Sequence, residues 1–219
     1  MGLYPTNYYT RELGEFLKYH SYQPLQRGAD LPWWGCNYFS NMSGARTMII
    51  SQDSLANDAG SVVFWAQLFS VIKNEANYKN YISHLTDKEL FRFSSWNKVY
   101  NQLCNWKLDL DFCFITDAAK VYKYGSWKNR DFDKKRSKEL LLEEIEICNP
   151  DLIIILGAEP LKLLEPDIKY GDIVDSGKII NINNFKVVVS PFIIGNGPTQ
   201  KNFKERLDVA SKLIIEVLS

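Results

Sequence analysis

An α/β fold, a three-layer α/β/α sandwich with a central, mainly parallel sheet, is predicted by two features of this sequence. Apolar runs of strand length recur at "TMII", "DFCFIT", "DLIIILG" and "FKVVVSPF". Segments of helical length and periodicity separate them. Strands joined through helices need crossover connections, which make the strands parallel and cover both sheet faces. With 219 residues the chain is long enough for one sizeable core, so residues 1–219 are expected to form a single domain.

Taken in order, residues 10–19 read as a short helix and "LPWWGCNYFSNMSGA" as an aromatic, turn-rich connector. Residues 1–45 are therefore expected to be an aromatic-rich extension that either packs on the sheet edge or offers a partner surface. "TMII" is the first core strand, and "SVVFWAQLFSVIKN" the helix after it. "WNKVYNQLCNW" sets Val99, Leu103 and Trp106 at helical spacing. "DFCFIT" is the next strand, followed by the strongly helical "DKKRSKELLLEEIEICN", which Pro150 stops. "DLIIILG" is a continuous apolar run, as a strand buried on both faces requires, and "AEPLKLL" is a short helix. "KIININN" and "FKVVVSPF" are strands around a turn at Asn183-Asn184, and residues 202–218 form a final helix.

Bulk composition removes several function classes. Lys plus Arg and Asp plus Glu number 26 each, so the chain is not a general polyanion binder, although a local basic face is compatible with zero net charge. Its four cysteines, Cys36, Cys104, Cys113 and Cys148, have no CxxC or metal-like spacing and read as buried free thiols of a reducing compartment. No metal or cofactor is expected, since Walker and dinucleotide fingerprints are missing as well. No apolar run reaches the roughly 18 residues of a membrane span, and the first residues lack a signal-peptide core. A cytoplasmic monomer without membrane contact is the expectation.

Ligands of such folds sit at the carboxyl ends of the strands. The residues there are Ser51-Gln52-Asp53, Asp117, Gly157-Ala158-Glu159 and Ser190-Pro191. A carboxylate at a strand end can position water as a general base or stabilise a developing cation. It can equally cap the next helix, since Asp is favoured at N-caps. Both roles are open to Asp53 and Asp117 from local sequence alone.

The order "MIISQDSLAND", "FITDAAKVY", "NPDLIIILGAEPLKLL" and "VVVSPF" resembles the uracil-DNA glycosylase superfamily, from about Thr47 to the C-terminus. In that family a strand ends in Gly-Gln-Asp-Pro-Tyr, whose Asp positions the attacking water while the Gln backbone helps hold the base. Ser51-Gln52-Asp53-Ser54-Leu55 stands in that place and keeps Gln and Asp. The family Tyr crowds the C5 side of the base; Leu55 replaces it here. The resemblance further implies an aromatic stacked on the base, for which Phe64 and Trp65 are the candidates beside a plain core role.

A second family motif ends a strand in Asn, which reads the base edge; this chain has Phe114-Ile115-Thr116-Asp117. Asn offers a donor and an acceptor, suiting O4 and N3–H of uracil, whereas an ionised Asp offers acceptors only. Asp117 would then repel uracil O4 and accept from an exocyclic amino group. Protonated in a dry pocket, it would donate instead.

The third motif is His-Pro-Ser after a strand, with His stabilising the departing base. Ser190-Pro191-Phe192 occupies that position, and both histidines, His20 and His84, lie elsewhere. Phe192 or Ile193 corresponds to the minor-groove wedge, beside an ordinary turn at Asn196-Gly197-Pro198. Lys120, Lys123, Lys128, Arg130, Lys134, Lys135 and Arg136, interleaved with Tyr122, Tyr124 and Trp127, match the family's DNA-side loop; a solvated surface segment explains them equally.

The resemblance thus implies a DNA glycosylase that hydrolyses the N-glycosidic bond of a flipped-out uracil or other modified base in DNA repair. Two other readings remain open. One is an altered or inactive relative that binds nucleic acid or a nucleobase-like ligand. The other is a small-molecule enzyme on a flavodoxin-like fold, sharing architecture alone.

Overall fold

The computed structural model describes residues 32–52, 62–66, 74–83, 93–119, 134–194 and 197–219. Six strands form one mixed sheet: β1 (Trp33–Trp34), β2 (Thr47–Ser51), β3 (Cys113–Asp117), β4 (Leu152–Leu156), β5 (Ile180–Ile182) and β6 (Phe185–Ser190). Their order is β1-β3-β2-β4-β6-β5. The four inner strands are mutually parallel, and both edge strands pair antiparallel. Around them lie α1 (Val62–Ala66), α2 (Glu75–Ser83), α3 (Phe93–Asn105), α4 (Lys134–Cys148), α5 (Ala158–Leu164), α6 (Tyr170–Ser176) and α7 (Phe203–Leu218). The fold is of the α/β kind.

β4 explains why the centre of the sheet is so apolar. Every residue from Leu152 to Leu156 is at most 1 % exposed, so both faces of the strand must be covered. Burying each such side chain contributes about 1.5–3 kcal/mol. Alternation divides the side chains between two clusters. Met48, Ile50, Phe114, Ile153, Ile155, Val187 and Val189 meet Leu140, Leu141 and Ile145 of α4, Leu161 and Leu164 of α5 and Val174 of α6. Ile49, Ile115, Ile154, Leu156 and Val188 meet Val62, Val63 and Ala66 of α1, Val99 and Leu103 of α3, and Ala210 and Ile214 of α7. In this second cluster the buried Trp106 donates its indole N–H to Ser211 Oγ at 2.8 Å, so no polar atom of that large ring is stranded.

Two turns fall where the sequence predicts them and gain a physical reason, while one helix starts earlier than expected. Pro150 does follow α4, but the turn itself is made by Asn149 at φ 44°, whose N–H bonds Ile145 O at 2.9 Å. Asn is among the few side chains that tolerate this left-handed C-terminal position. Asn183, at φ 52°, makes the two-residue turn between β5 and β6 by the same tolerance. α3 begins at Phe93, three residues before Trp96, where the sequence reading started it.

The aromatic connector contains a strand that its sequence did not reveal. β1 pairs with β3, placing Trp33 opposite Ile115 and Trp34 opposite Phe114. Trp34 stacks on Phe114 with ring centroids 6.0 Å apart, and Tyr38 tilts against the same ring at 5.5 Å. Arg46 fastens the connector by donating from Nε to Tyr38 O at 2.8 Å. Residues 32–45 therefore cover the sheet edge beyond β3; the helix expected at 10–19 lies outside the described residues.

The cysteines depart from expectation in one respect. Cys113 and Cys148 are buried, while Cys36 and Cys104 are exposed, and all four are free thiols. Burial pushes the Cys113 thiol far above its ordinary range, which leaves it an inert packing residue. Among the described residues, no helix is long and apolar enough to cross a membrane.

Candidate functional site at the carboxyl ends of the parallel strands

Register brings the polar strand ends into one row. Ser51 of β2 is opposite Asp117 of β3, and Leu156 of β4 is opposite Ser190 of β6. Ile50 pairs with Ile155, which sets Ser51 level with Leu156 between the two pairs. Alternation also gives the row a common face. Ser51, Asp117, Leu156 and Ser190 each follow by two residues a member of the α1–α3–α7 cluster, namely Ile49, Ile115, Ile154 and Val188. Asp117 and Ser190 stand three strand spacings apart, about 14 Å between backbones at roughly 4.8 Å per spacing.

The polar members of this row are buried. Ser51 and Asp117 are each 1 % exposed and Ser190 is fully buried. The Ser51 hydroxyl donates to Asp117 Oδ1, joining strands that are 66 residues apart in sequence. Ser190 Oγ donates to the carbonyl of Pro191 at 3.1 Å. The ladder extends beyond the strands, with Ala118 N–H on Ser51 O at 2.8 Å and Ala119 N–H on Gln52 O at 3.0 Å. Half-buried Gln52 is thereby held beside Asp117, at the point where the chain leaves β2 toward Asp53.

The connection after β4 is shaped by two close approaches. Gly157 has φ 89°, a conformation side chains rarely adopt, and its N–H bonds Ser190 O at 2.8 Å. Gly197 lies so tightly beneath the turn after β6 that an added Cβ would stand 1.6 Å from Phe192 O. That turn places Ile193, 5 % exposed, in the α1–α3–α7 cluster, with Phe192 packed against it and half-buried. A minor-groove wedge needs an accessible side chain; Ile193 is a core residue in this conformation.

The structure thus brings Gln52, Asp117 and Ser190 together with Ser51 and Leu156. Asp53, Leu55, Lys120, Tyr122, Lys123, Tyr124, Trp127, Lys128 and Arg130 lie outside the described residues, as do His20 and His84. Phe64 and Trp65 belong to α1, and their side chains also lie outside the description, as does that of Arg136. Lys134 and Lys135 are exposed in the first turn of α4. One member of the row, Leu156, was missed by sequence reasoning. Ser51 stood out as a polar strand end and as a departure from Gly, whereas Leu156 was only the last residue of an apolar run. Register was the signal that unites them.

A concavity lies at the opposite end of the strands. It is an open groove of about 710 Å³ whose lining includes Glu146, Asn149, Asp151, Asn184 and Lys186. Two of its carboxylates serve the fold: Asp151 Oδ2 accepts from the Arg46 backbone N–H at 2.8 Å, and Glu146 Oε1 accepts from Asn183 Nδ2 at 3.1 Å.

In a parallel sheet whose chain moves from β2 outward to β3 and then back across to β4, the switch point lies between β2 and β4. The row is centred there, between Ser51 and Leu156. The arrangement offers a carboxylate at one side, an apolar floor in the middle and a hydroxyl at the other side. No family model matches the chain, and a search of curated proteins finds no match either.

Proposed function

We propose that this chain is a divergent DNA glycosylase of the uracil-DNA glycosylase superfamily, built as a three-layer α/β/α sandwich. The single observation that carries the reading is the row at the strand ends, in which Asp117 and Ser190 share one face at one level across the switch point. Apolar clusters on both sides of the sheet support the layered architecture. The motif order in the sequence supports the assignment of roles.

In this reading a nucleotide is extruded from DNA and its base enters between Asp117 and Ser190. Leu156 provides an apolar floor, and Phe64 or Trp65 stacks on the base. The bond between base nitrogen and sugar carbon breaks, and its electron pair leaves with the base. Asp53 stabilises the cationic sugar and orients the water that attacks it. The water oxygen bonds to the sugar carbon, and a water proton replaces the sugar on the base. Lys120, Lys128 and Arg130 contact phosphates, so binding weakens with salt. The enzyme acts in the cytoplasm.

The test is incubation at enzyme excess with single- and double-stranded oligonucleotides carrying uracil, hypoxanthine, xanthine or normal bases, followed by alkali. Strand scission at one modified base is expected. Its absence across the whole panel removes the glycosylase reading.

One observation favours the alternative, a binding protein without catalysis. The Ser190 hydroxyl gives its proton to Pro191 O, so in this conformation it does not donate to a leaving base. Specific binding of an oligonucleotide without scission is the outcome that reading predicts.

A further inference from the structure

The carboxyl group of Asp117 has two possible states with opposite preferences, and its neighbour on β2 bears on which one operates. Ser51 occupies the position where the resembled motif has Gly, which has no side chain to offer. Here the side chain is a hydroxyl, buried to 1 % exposure and donating to Asp117 Oδ1. A hydrogen bond donated to a carboxylate favours the ionised form and fixes the rotation of the group. An ionised carboxylate has about four acceptor sites and no donor. Ser51 occupies a site on Oδ1, and every acceptor site of an ionised carboxylate takes a hydrogen only from an N–H or O–H group.

From this geometry we infer that Ser51 is a positioning residue, which holds Asp117 as an acceptor so that the site selects a base presenting an exocyclic amino group. The inference rests on the glycosylase reading and deepens it by naming the substrate class. A base with a carbonyl at that edge, such as uracil or hypoxanthine, sets oxygen against oxygen and is rejected. A modified cytosine or adenine that keeps its amino group is accepted. Discrimination of this kind is steep because a mismatched buried polar group is left without a partner. The Ser51 donor is supplied from within the sheet, where the β2–β3 register pins it opposite Asp117. It depends on no mobile side chain.

The test compares excision from oligonucleotides carrying 5-substituted cytosine or N-methylated adenine with excision of uracil and hypoxanthine. Equilibrium dialysis of free cytosine, adenine, uracil and hypoxanthine accompanies it. The wild type is expected to favour the amino-bearing bases at least tenfold in both assays. Asp117→Asn should reverse the preference. Ser51→Ala should reduce it by about tenfold, the worth of one hydrogen bond. Ser51→Thr keeps the hydroxyl and should restore it, a rescue that a merely structural role does not produce. Circular dichroism checks that each variant is folded, and Ser51→Thr carries the test if Ser51→Ala is not. Excision confined to uracil and hypoxanthine, or a Ser51→Ala variant with unchanged preference, overturns the inference and leaves the glycosylase reading standing. Neither excision nor binding of any base overturns both.

Discussion

At the amino end of the four parallel strands, the carboxylates of Asp151 and Glu146 stay at the surface and accept from Arg46 N–H and Asn183 Nδ2. At the carboxyl end, Ser51, Thr116, Asp117 and Ser190 are buried to 1 % exposure or less. Burying an alcohol or a carboxylate is unfavourable unless hydrogen bonds compensate it. A sheet built only for stability would finish both ends as it finishes the amino end. Thr47, at the amino end of β2, is buried as well, but the carboxyl end gathers more such groups and the buried carboxylate of Asp117, which the proposed function explains as recognition of a base.

That contrast can be broken by substitution, beginning with what both ends share. Ile154→Ala removes a fully buried side chain at the centre of β4 and should cost about 2–5 kcal/mol. Thermal melting should fall by roughly 4–20 °C for a chain of this size. A smaller loss would mean that the sheet is not the common support of the two ends. Gly197→Ala drives a Cβ against Phe192 O, 1.6 Å away, and should destabilise by about 1–3 kcal/mol through overpacking. Because the displaced segment follows Ser190, excision should fall with it; an unchanged rate would separate that turn from the site.

The smallest effect sharpens the comparison most. Asp151→Ala deletes one exposed acceptor of the Arg46 N–H and should cost about 0.5–1.5 kcal/mol without altering excision. Asp117→Asn should do the converse, altering base preference with little loss of stability, since the amide is nearly isosteric. Chemical denaturation and the excision assay, run on both variants, measure the two halves of the claim. A stability loss at Asp117 larger than that at Asp151, with unchanged base preference, would make the buried carboxylate a structural device.

Much of the fold was legible because its signals are local. The runs at β2, β3, β4 and β6 are apolar on both faces, and "AEPLKLL" coincides with α5, Ala158–Leu164. What escaped lacked a local signature. α6, "YGDIVDS", buries only Val174 and contains Gly171, so no apolar stripe marks it. α2, "EANYKNYIS", carries no strong apolar face, and β1 is two residues long, too short for alternation to show. The site divides in the same way. Asp117 and Ser190 were found because each ends a strand that the sequence reveals. The bond between Ser51 and Asp117 was not, since it depends on which strands are neighbours, and that is decided by the packing of helices onto both faces. Asp53 was legible as a motif residue, and its role is a matter for chemistry.

The most direct test of the glycosylase account is therefore a comparison of wild type and Asp53→Asn on an oligonucleotide whose modified base the wild type removes. Abasic sites are counted after alkali under single-turnover conditions. The account predicts that Asp53→Asn slows excision by roughly 100-fold or more, the usual range for loss of a positioned general base. A variant that excises as fast as the wild type would contradict it.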